Sequence, residues 1–311
     1  MGAPDGDGTV ASGVASGGAT APALPPAGSA PSWSTGGPTG GWADPPTVPA
    51  MSAPPVSPPV SLPAPRPAPG TGSAAPAAGA PRRTHRWGLG AYVLVEALFL
   101  GVSGLIGALF AGGRLSVPVL IVALTVPTVL AAGVTLLITW LRGGGPRADL
   151  GLVWSWSDVR TGLAYGFGGL VVTIPVSLLY AVVVGPDRVG SAVGDAFAGL
   201  RAGPLAAVAV GLVVVVVAPV CEEIVYRGLL WGAVERRTSR PWAPFTVTTL
   251  LFAVAHLELS RTPLLLVVAL PIALARLRTG RLGASIVAHQ VNNLLPGLAL
   301  VAALLGLIPA L

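Results

Sequence analysis

The chain has 311 residues, of which 53% are hydrophobic and 10% are charged, and its mean hydropathy is +0.77. Soluble domains carry about 25% charged residues, so the composition excludes an ordinary soluble domain and indicates a membrane protein. All 18 basic residues are arginines that mostly flank apolar segments, which is typical of membrane topology and not of nucleic-acid binding. The single cysteine, Cys221, excludes an intramolecular disulfide framework.

The first part of the chain differs sharply from the rest. Residues 1–84 hold 19 of the 32 prolines, together with much glycine, alanine and serine. Such a segment buries too little apolar surface to offset the entropy lost on ordering. We therefore predict two regions: a disordered, low-complexity cytoplasmic tail over residues 1–84, and a membrane domain over residues 85–311.

The membrane domain contains a series of apolar runs near the length of roughly 20 residues that a spanning helix needs. The runs fit at eight places: 88–111, 117–141, 160–185, 204–234, 242–258, 262–278, 282–294 and 296–310. The last two are short and correspond either to one broken helix or to two tilted ones. The predicted fold class is therefore all-α, a polytopic membrane helix bundle of about eight transmembrane helices.

The loop arginines predict an orientation. With the N-terminus inside, twelve arginines fall in or beside the inner loops and four in the outer loops. This bias agrees with the positive-inside rule. We expect a multi-pass protein of the cell membrane, embedded in the lipid bilayer, with its N-terminus in the cytoplasm.

Three charged side chains lie close together in the most apolar part of the chain. Glu222, Glu223 and Arg227 follow the aliphatic run 212–217, and a charge near the middle of a bilayer costs roughly 2.5–3.5 kcal/mol on insertion scales. Residues four apart share a helix face, so we expect Glu223 and Arg227 to form an ion pair while Glu222 stays unmatched. Pro219 predicts a distortion of the helix just before Glu222.

The later spans carry the other polar side chains. His256 follows Phe252 by one turn in the fifth span, and His289 precedes Asn293 by one turn in the seventh, with Asn292 beside it. Each of these groups needs a polar partner or a cavity inside the membrane. The arrangement of lowest cost gathers Glu222, the two histidines and an asparagine around one polar cavity.

Two kinds of hydrolytic chemistry fit this set. A carboxylate and a histidine can take a proton from water while a second histidine and an amide donate hydrogen bonds to the developing oxyanion. Alternatively, Glu222, His256 and His289 can hold Zn²⁺, which lowers the pKa of bound water to about 7. The H-E-x-x-H and G-x-S-x-G signatures are absent from the sequence, so neither a soluble zinc protease nor a serine hydrolase is indicated.

One further acid lies in an apolar run. Glu96, in the first span, either lines the same cavity or lies close enough to the interface to be hydrated. The sequence offers it no obvious partner, and we expect the interfacial position.

Three segments, E-E-I-V-Y-R, F-A-V-A-H and H-Q-V-N-N, resemble the motifs E-E-x-x-x-R, F-x-x-x-H and H-x-x-x-N of the CAAX protease and bacteriocin-processing (Abi) family of intramembrane proteases. That family includes the type II CAAX prenyl endopeptidases. The resemblance covers about 88–311, and its specific part is about 204–295. Tyr226 stands where the family often has Phe.

The resemblance implies a role for each motif residue. Glu222 and His256 are implied to activate water, and His289 and Asn293 to stabilise the oxyanion or assist a metal, so that zinc is a candidate cofactor. Glu223 and Arg227 are implied to support the site, together with Phe252 and Asn292. The implied partner is a peptide or protein substrate, and no nucleic acid.

Two other functions use the same residues. A polytopic binding or transport protein places Glu and His groups where they relay protons or bind an ion, although no convincing internal repeat is visible in the sequence. The second alternative is a self-immunity or scaffold protein that does not cleave peptides. The sequence gives no sign of lost activity, because all motif residues are present.

Overall fold

The computed structural model describes residue 41 and residues 85–111, 115–185 and 188–309. The chain divides into two units, Met1–Gly72 and Ser73–Leu311. Except for Gly41, the predicted tail over residues 1–84 lies outside the described residues.

The described part of the membrane domain is helical. Its helices are α1 (Leu89–Phe110), α2 (Val117–Arg142), the short α3 (Pro146–Asp149), α4 (Trp156–Val184), the short α5 (Ala192–Phe197), α6 (Pro204–Glu235), α7 (Trp242–Ala255), α8 (Thr262–Thr279) and α9 (Leu282–Leu304). Six of them, α1, α2, α4, α6, α8 and α9, are long and apolar enough to cross a membrane. The all-α fold class is confirmed, and the chain is a multi-pass membrane protein.

The helix count differs in one place from the expected eight. The two last apolar runs form the single helix α9, which continues through Pro296. The described residues thus contain six long apolar helices and the shorter apolar helix α7. This result selects one of the two alternatives for the C-terminal runs.

Helix α6 is irregular where it carries the charged residues. It contains two π-helical segments, Val213–Val217 and Ile224–Leu230. In the first segment the amide of Ala218 donates to the carbonyl of Val213. The π-helical partner of the next carbonyl would be Pro219, which has no N–H. The carbonyl of Val214 instead accepts a hydrogen bond of 3.0 Å from the side chain of Asn293 on α9. The predicted distortion near Pro219 is therefore present.

Helix α7 is too short to span the hydrocarbon core. Its 14 residues rise about 21 Å at 1.5 Å per residue, against a core of about 30 Å. It ends at His256, after which Leu257 takes a left-handed conformation with a φ of 55°. The histidine thus stands at a chain reversal inside the bundle.

Glycines set the distance between α4 and its neighbours. Gly162 and Gly166 face Val287 and Val291 of α9, and Gly169 faces Pro271 of α8. Lipid provides no hydrophobic force to drive helices together, so membrane helices associate through close van der Waals packing. Small residues at this spacing allow the two backbones to approach closely enough for such packing. This packing fixes α9, and with it the third motif.

We expect Gly162→Ala to lower the melting temperature in detergent, because an added Cβ would lie 2.5 Å from the Cβ of Val287 and 2.7 Å from the carbonyl oxygen of Ala284. Overpacking of this kind costs about 1–3 kcal/mol. The matched control is Gly168→Ala on the same helix, where an added Cβ meets no atom within 4 Å. Equal melting of the two variants would contradict the close α4–α9 contact.

Candidate active site

The centre of the site is a buried ion pair within α6. Nη1 of Arg227 donates to Oε1 of Glu223 at 3.0 Å, and both side chains are fully buried. Each charge lowers the cost of burying the other, which is several kcal/mol for an ion left alone. The pair expected from the four-residue spacing is thus present.

His289 joins this pair from α9. Its Nδ1 lies 3.0 Å from the same Oε1 of Glu223, and its Nε2 lies 3.7 Å from Oε2 of Glu222. A carboxylate paired with arginine accepts hydrogen bonds, so Nδ1 carries a proton and donates it. The histidine therefore lies between the two glutamates and is held by the second of them.

Phe252 packs the three motifs together. Its ring lies 4.3 Å from the guanidinium carbon of Arg227, and the ring centroids of His256 and His289 lie 4.7 and 5.6 Å from its own. The contact with Arg227 is a cation–π interaction, which strengthens where water is excluded. Both histidines thus contact one ring, and Phe252 is 2% exposed.

Glu222 and His256 open into one cavity of about 360 Å³. Glu222 keeps 27% of its side chain exposed, whereas its neighbour Glu223 has none. Nδ1 of His256 lies 2.7 Å from the carbonyl oxygen of Phe252. A carbonyl can only accept, so Nδ1 holds the proton and the neutral ring has its lone pair on Nε2. A carboxylate and an imidazole able to accept a proton thus line one space.

Glu96 lines the same cavity, which was the less favoured of its two alternatives. The hydroxyl of Tyr226 donates to its two carboxylate oxygens, at 3.2 and 3.4 Å. Tyr226 lies at the position where the resembling family often has Phe, so the sequence contained this signal. We missed the partner because 130 residues separate the two side chains and helix geometry relates only near neighbours.

The two asparagines lie apart from the cavity lining. Asn293 donates to the Val214 carbonyl in α6, and Asn292 is 7% exposed with its Nδ2 near the backbone of Gly169. Neither Asn293 nor His289 is among the described residues that line the cavity. The structure brings Glu222 together with His256 and with His289, but it turns Asn293 towards the backbone of α6.

The proposed zinc ligands are not arranged around a common point. Within the described residues, no group of three or more His, Cys, Asp or Glu side chains is placed to hold a metal ion. His289 directs one ring nitrogen at each glutamate, and His256 has one nitrogen on the Phe252 carbonyl. These residues as they stand do not fit a three-ligand zinc site, and we derive no step through a metal.

Sequence reasoning also missed Glu258. It lines the cavity from the loop after α7, pairs with Arg261, and accepts a hydrogen bond of 2.9 Å from the amide of Ala192. Its place two residues beyond the F-A-V-A-H segment was a signal, because a residue so near His256 in the chain lies near it in space.

Residues 204–295 match the family model described as type II CAAX prenyl endopeptidase Rce1-like. The match covers all three motifs, and it confirms their resemblance to the CAAX protease family. No curated protein and no solved structure matches the chain significantly.

We expect Arg227→Ala to destabilise the protein by about 3–5 kcal/mol, because it leaves the charge of Glu223 buried without its cation. The measurement is thermal melting in detergent, with Arg237→Ala, an exposed arginine beyond the end of α6, as the matched control. If Arg227→Ala melts like the control, the pair contributes nothing to stability.

Asn293→Leu should lower the melting temperature as well as any activity. The change leaves the Val214 carbonyl unpaired at membrane depth, which costs about 1–3 kcal/mol. A variant that melts like the parent but loses turnover would instead assign Asn293 to the oxyanion, as the family resemblance implies.

Proposed function

Given the family match over residues 204–295, we propose that the chain is an intramembrane endopeptidase in which Glu222 and His256 activate the water that attacks a peptide bond. The observation that carries the proposal is that Glu222 and His256 line the same cavity. Glu222 is the carboxylate without an arginine partner among the described residues, and His256 stands at the end of the short helix α7. General bases must lie within reach of the same water, directly or through one other molecule.

The proton inventory supports this division of roles. Glu222 is partly exposed to the cavity and acts as the general base that removes a proton from the water. Nε2 of His256 carries the ring's lone pair, because Nδ1 donates to the Phe252 carbonyl. It orients the same water, accepts the proton that Glu222 has removed from that water, and passes it to the leaving nitrogen as the C–N bond breaks, so that one water supplies both the hydroxyl and the proton that hydrolysis adds.

His289 contacts Glu222 from outside the described lining of the cavity. Fixed by Glu223 through Nδ1, it presents Nε2 to the Glu222 carboxylate at 3.7 Å. In its protonated form it stabilises the ionised carboxylate, and it also limits the orientations that Glu222 can take. This is a positioning role, supported by a hydrogen-bond partner that is itself fully buried.

The position of the cavity fits cleavage within a bilayer. Because α7 ends short of the full hydrocarbon thickness, His256 lies at membrane depth. The walls contributed by α1 and α2 are largely apolar, with Phe99, Leu100 and Leu124 among them. These apolar side chains can contact a peptide that enters the cavity from the lipid.

We also propose that the N-terminus is cytoplasmic. If α1, α2, α4 and α6 each cross the membrane, the segment before α1 and the connections after α2 and α6 lie on the same side, and they carry most of the loop arginines.

The test is cleavage of a peptide library by the purified protein in detergent, with product ions identified by mass spectrometry. We expect Glu222→Gln to reduce kcat by about 10²–10⁴, without a change in melting temperature, because Gln keeps the shape of the side chain. The matched control is Glu235→Gln, at the end of the same helix and outside the described lining of the cavity.

Three outcomes decide the assignment. Near-parental turnover by Glu222→Gln would remove Glu222 from the mechanism. Absence of any cleavage by the parent would favour a binding or transport protein. Loss of turnover with a chelator, recovered on adding Zn²⁺, would show that a metal is required and that the side chains rearrange to hold it.

A further inference from the structure

Carboxyl groups outnumber basic side chains in the described lining of the cavity. Three of the described residues that line it are glutamates, Glu96, Glu222 and Glu258, and none is an arginine or lysine. Arg261 neutralises Glu258 through an ion pair. Within the described residues, the Tyr226 hydroxyl donates to Glu96, and Nε2 of His289 lies 3.7 Å from Glu222.

Glu96 is positioned for binding. Glu96, Phe99, Leu100 and Ser103 lie on one face of α1, at helical spacing, and this face lines the cavity. The Tyr226 hydroxyl holds both oxygens of the Glu96 carboxylate. Tyr226 is itself fixed by edge contacts with aromatic neighbours, including Phe252 at 5.4 Å between ring centroids. A carboxylate held in this way loses little entropy when it binds a ligand.

A cavity with this charge discriminates between substrate groups. Clefts lined by one sign of charge between low-dielectric walls raise the local concentration of opposite charges by about 10–10³. A C-terminal C-a-a-X sequence ends in a carboxylate three residues after its cysteine, and two glutamates in a lining whose described residues include no arginine or lysine repel it. A lysine or arginine side chain is attracted to both.

We infer that Glu96 determines specificity: it binds a lysine or arginine side chain of the substrate, close to the bond that Glu222 and His256 hydrolyse. The inference rests on the proposed function for the reaction, but the charge preference of the cavity does not. The Tyr226 hydroxyl contributes by holding the Glu96 carboxylate towards the bound cation.

The first experiment measures the cavity charge without proteolysis. Cys221 is the single cysteine of the chain and lines the cavity, so thiol labelling reports on this place alone. The full-length protein is treated with cationic, neutral and anionic methanethiosulfonates of similar size, and each rate is divided by the rate with a free thiol in solution. We expect the cationic reagent to react at least about tenfold faster than the anionic one.

The variants assign the charge. Glu96→Gln should reduce the cation-to-anion ratio several-fold, and Tyr226→Phe should preserve it because the carboxylate remains. Glu235→Gln, outside the cavity, serves as the control and should match the parent. Equal labelling rates for the cationic and anionic reagents in the parent would overturn the inference. It would also be overturned if none of the three reagents labelled Cys221, or if Glu96→Gln left the cation-to-anion ratio unchanged.

The second experiment starts from a library peptide that the protein cleaves. Each position beside the scissile bond is replaced, one at a time, by lysine, norleucine or glutamate. We expect kcat/KM to be about tenfold or more higher for lysine than for norleucine at one position. We also expect Glu96→Gln and, to a smaller extent, Tyr226→Phe to reduce that ratio. Replacing a free C-terminal carboxylate by an amide should raise kcat/KM.

The two proposals fail in distinguishable ways. Cleavage that is indifferent to lysine, or that requires a free C-terminal carboxylate, overturns the inference while the endopeptidase stands. A cation preference at Cys221 without cleavage of any peptide leaves the charged cavity in place and removes the proposed enzyme.

Discussion

The burial of the Glu223 carboxylate is the constraint on which the site depends. An ion at membrane depth costs several kcal/mol unless it is paired and hydrogen-bonded. One oxygen of Glu223 accepts from Arg227 of its own helix and from His289 of α9, and the ring of Phe252 from α7 covers the guanidinium. A single carboxylate thereby fixes the relative positions of three helices. Glu222, about 100° further round α6, must then face the cavity.

Irregular backbone is the second feature that makes the site. A lipid-exposed break in a helix would leave carbonyls unsatisfied, whereas a break inside the protein can be repaired by side chains. The π-helical segment before Pro219 is repaired in this way by Asn293, and π-segments are frequent at functional sites. The short α7 ends at His256, which lines the same cavity as Glu222. The asparagine of the third motif thus supports the helix that carries the first.

Charge distinguishes the two glutamates that follow each other in the sequence. Glu223 is neutralised within the protein core, but Glu222 lies 3.7 Å from His289 without an arginine partner among the described residues, and Glu96 adds another carboxylate to the same cavity. The protein therefore pairs the charge that holds the fold and leaves unpaired the charges that face the entering peptide. On the inferred specificity, a substrate with a basic side chain would complete this arrangement by supplying a cation beside Glu96.

The sequence by itself determined the membrane class, the apolar helices and the Glu223–Arg227 pair, because these follow from composition, segment length and the four-residue spacing along one helix. It also indicated the break at Pro219, since proline cannot donate a backbone hydrogen bond. Only the tertiary structure decided that Glu96 lies in the cavity beside Tyr226, that His289 bridges both glutamates, and that Asn293 caps the Val214 carbonyl. These contacts join residues 66 to 130 positions apart. Their geometry depends on the distances between helices, which glycines and aromatic rings set, and residue spacing along a single helix carries no information about those distances.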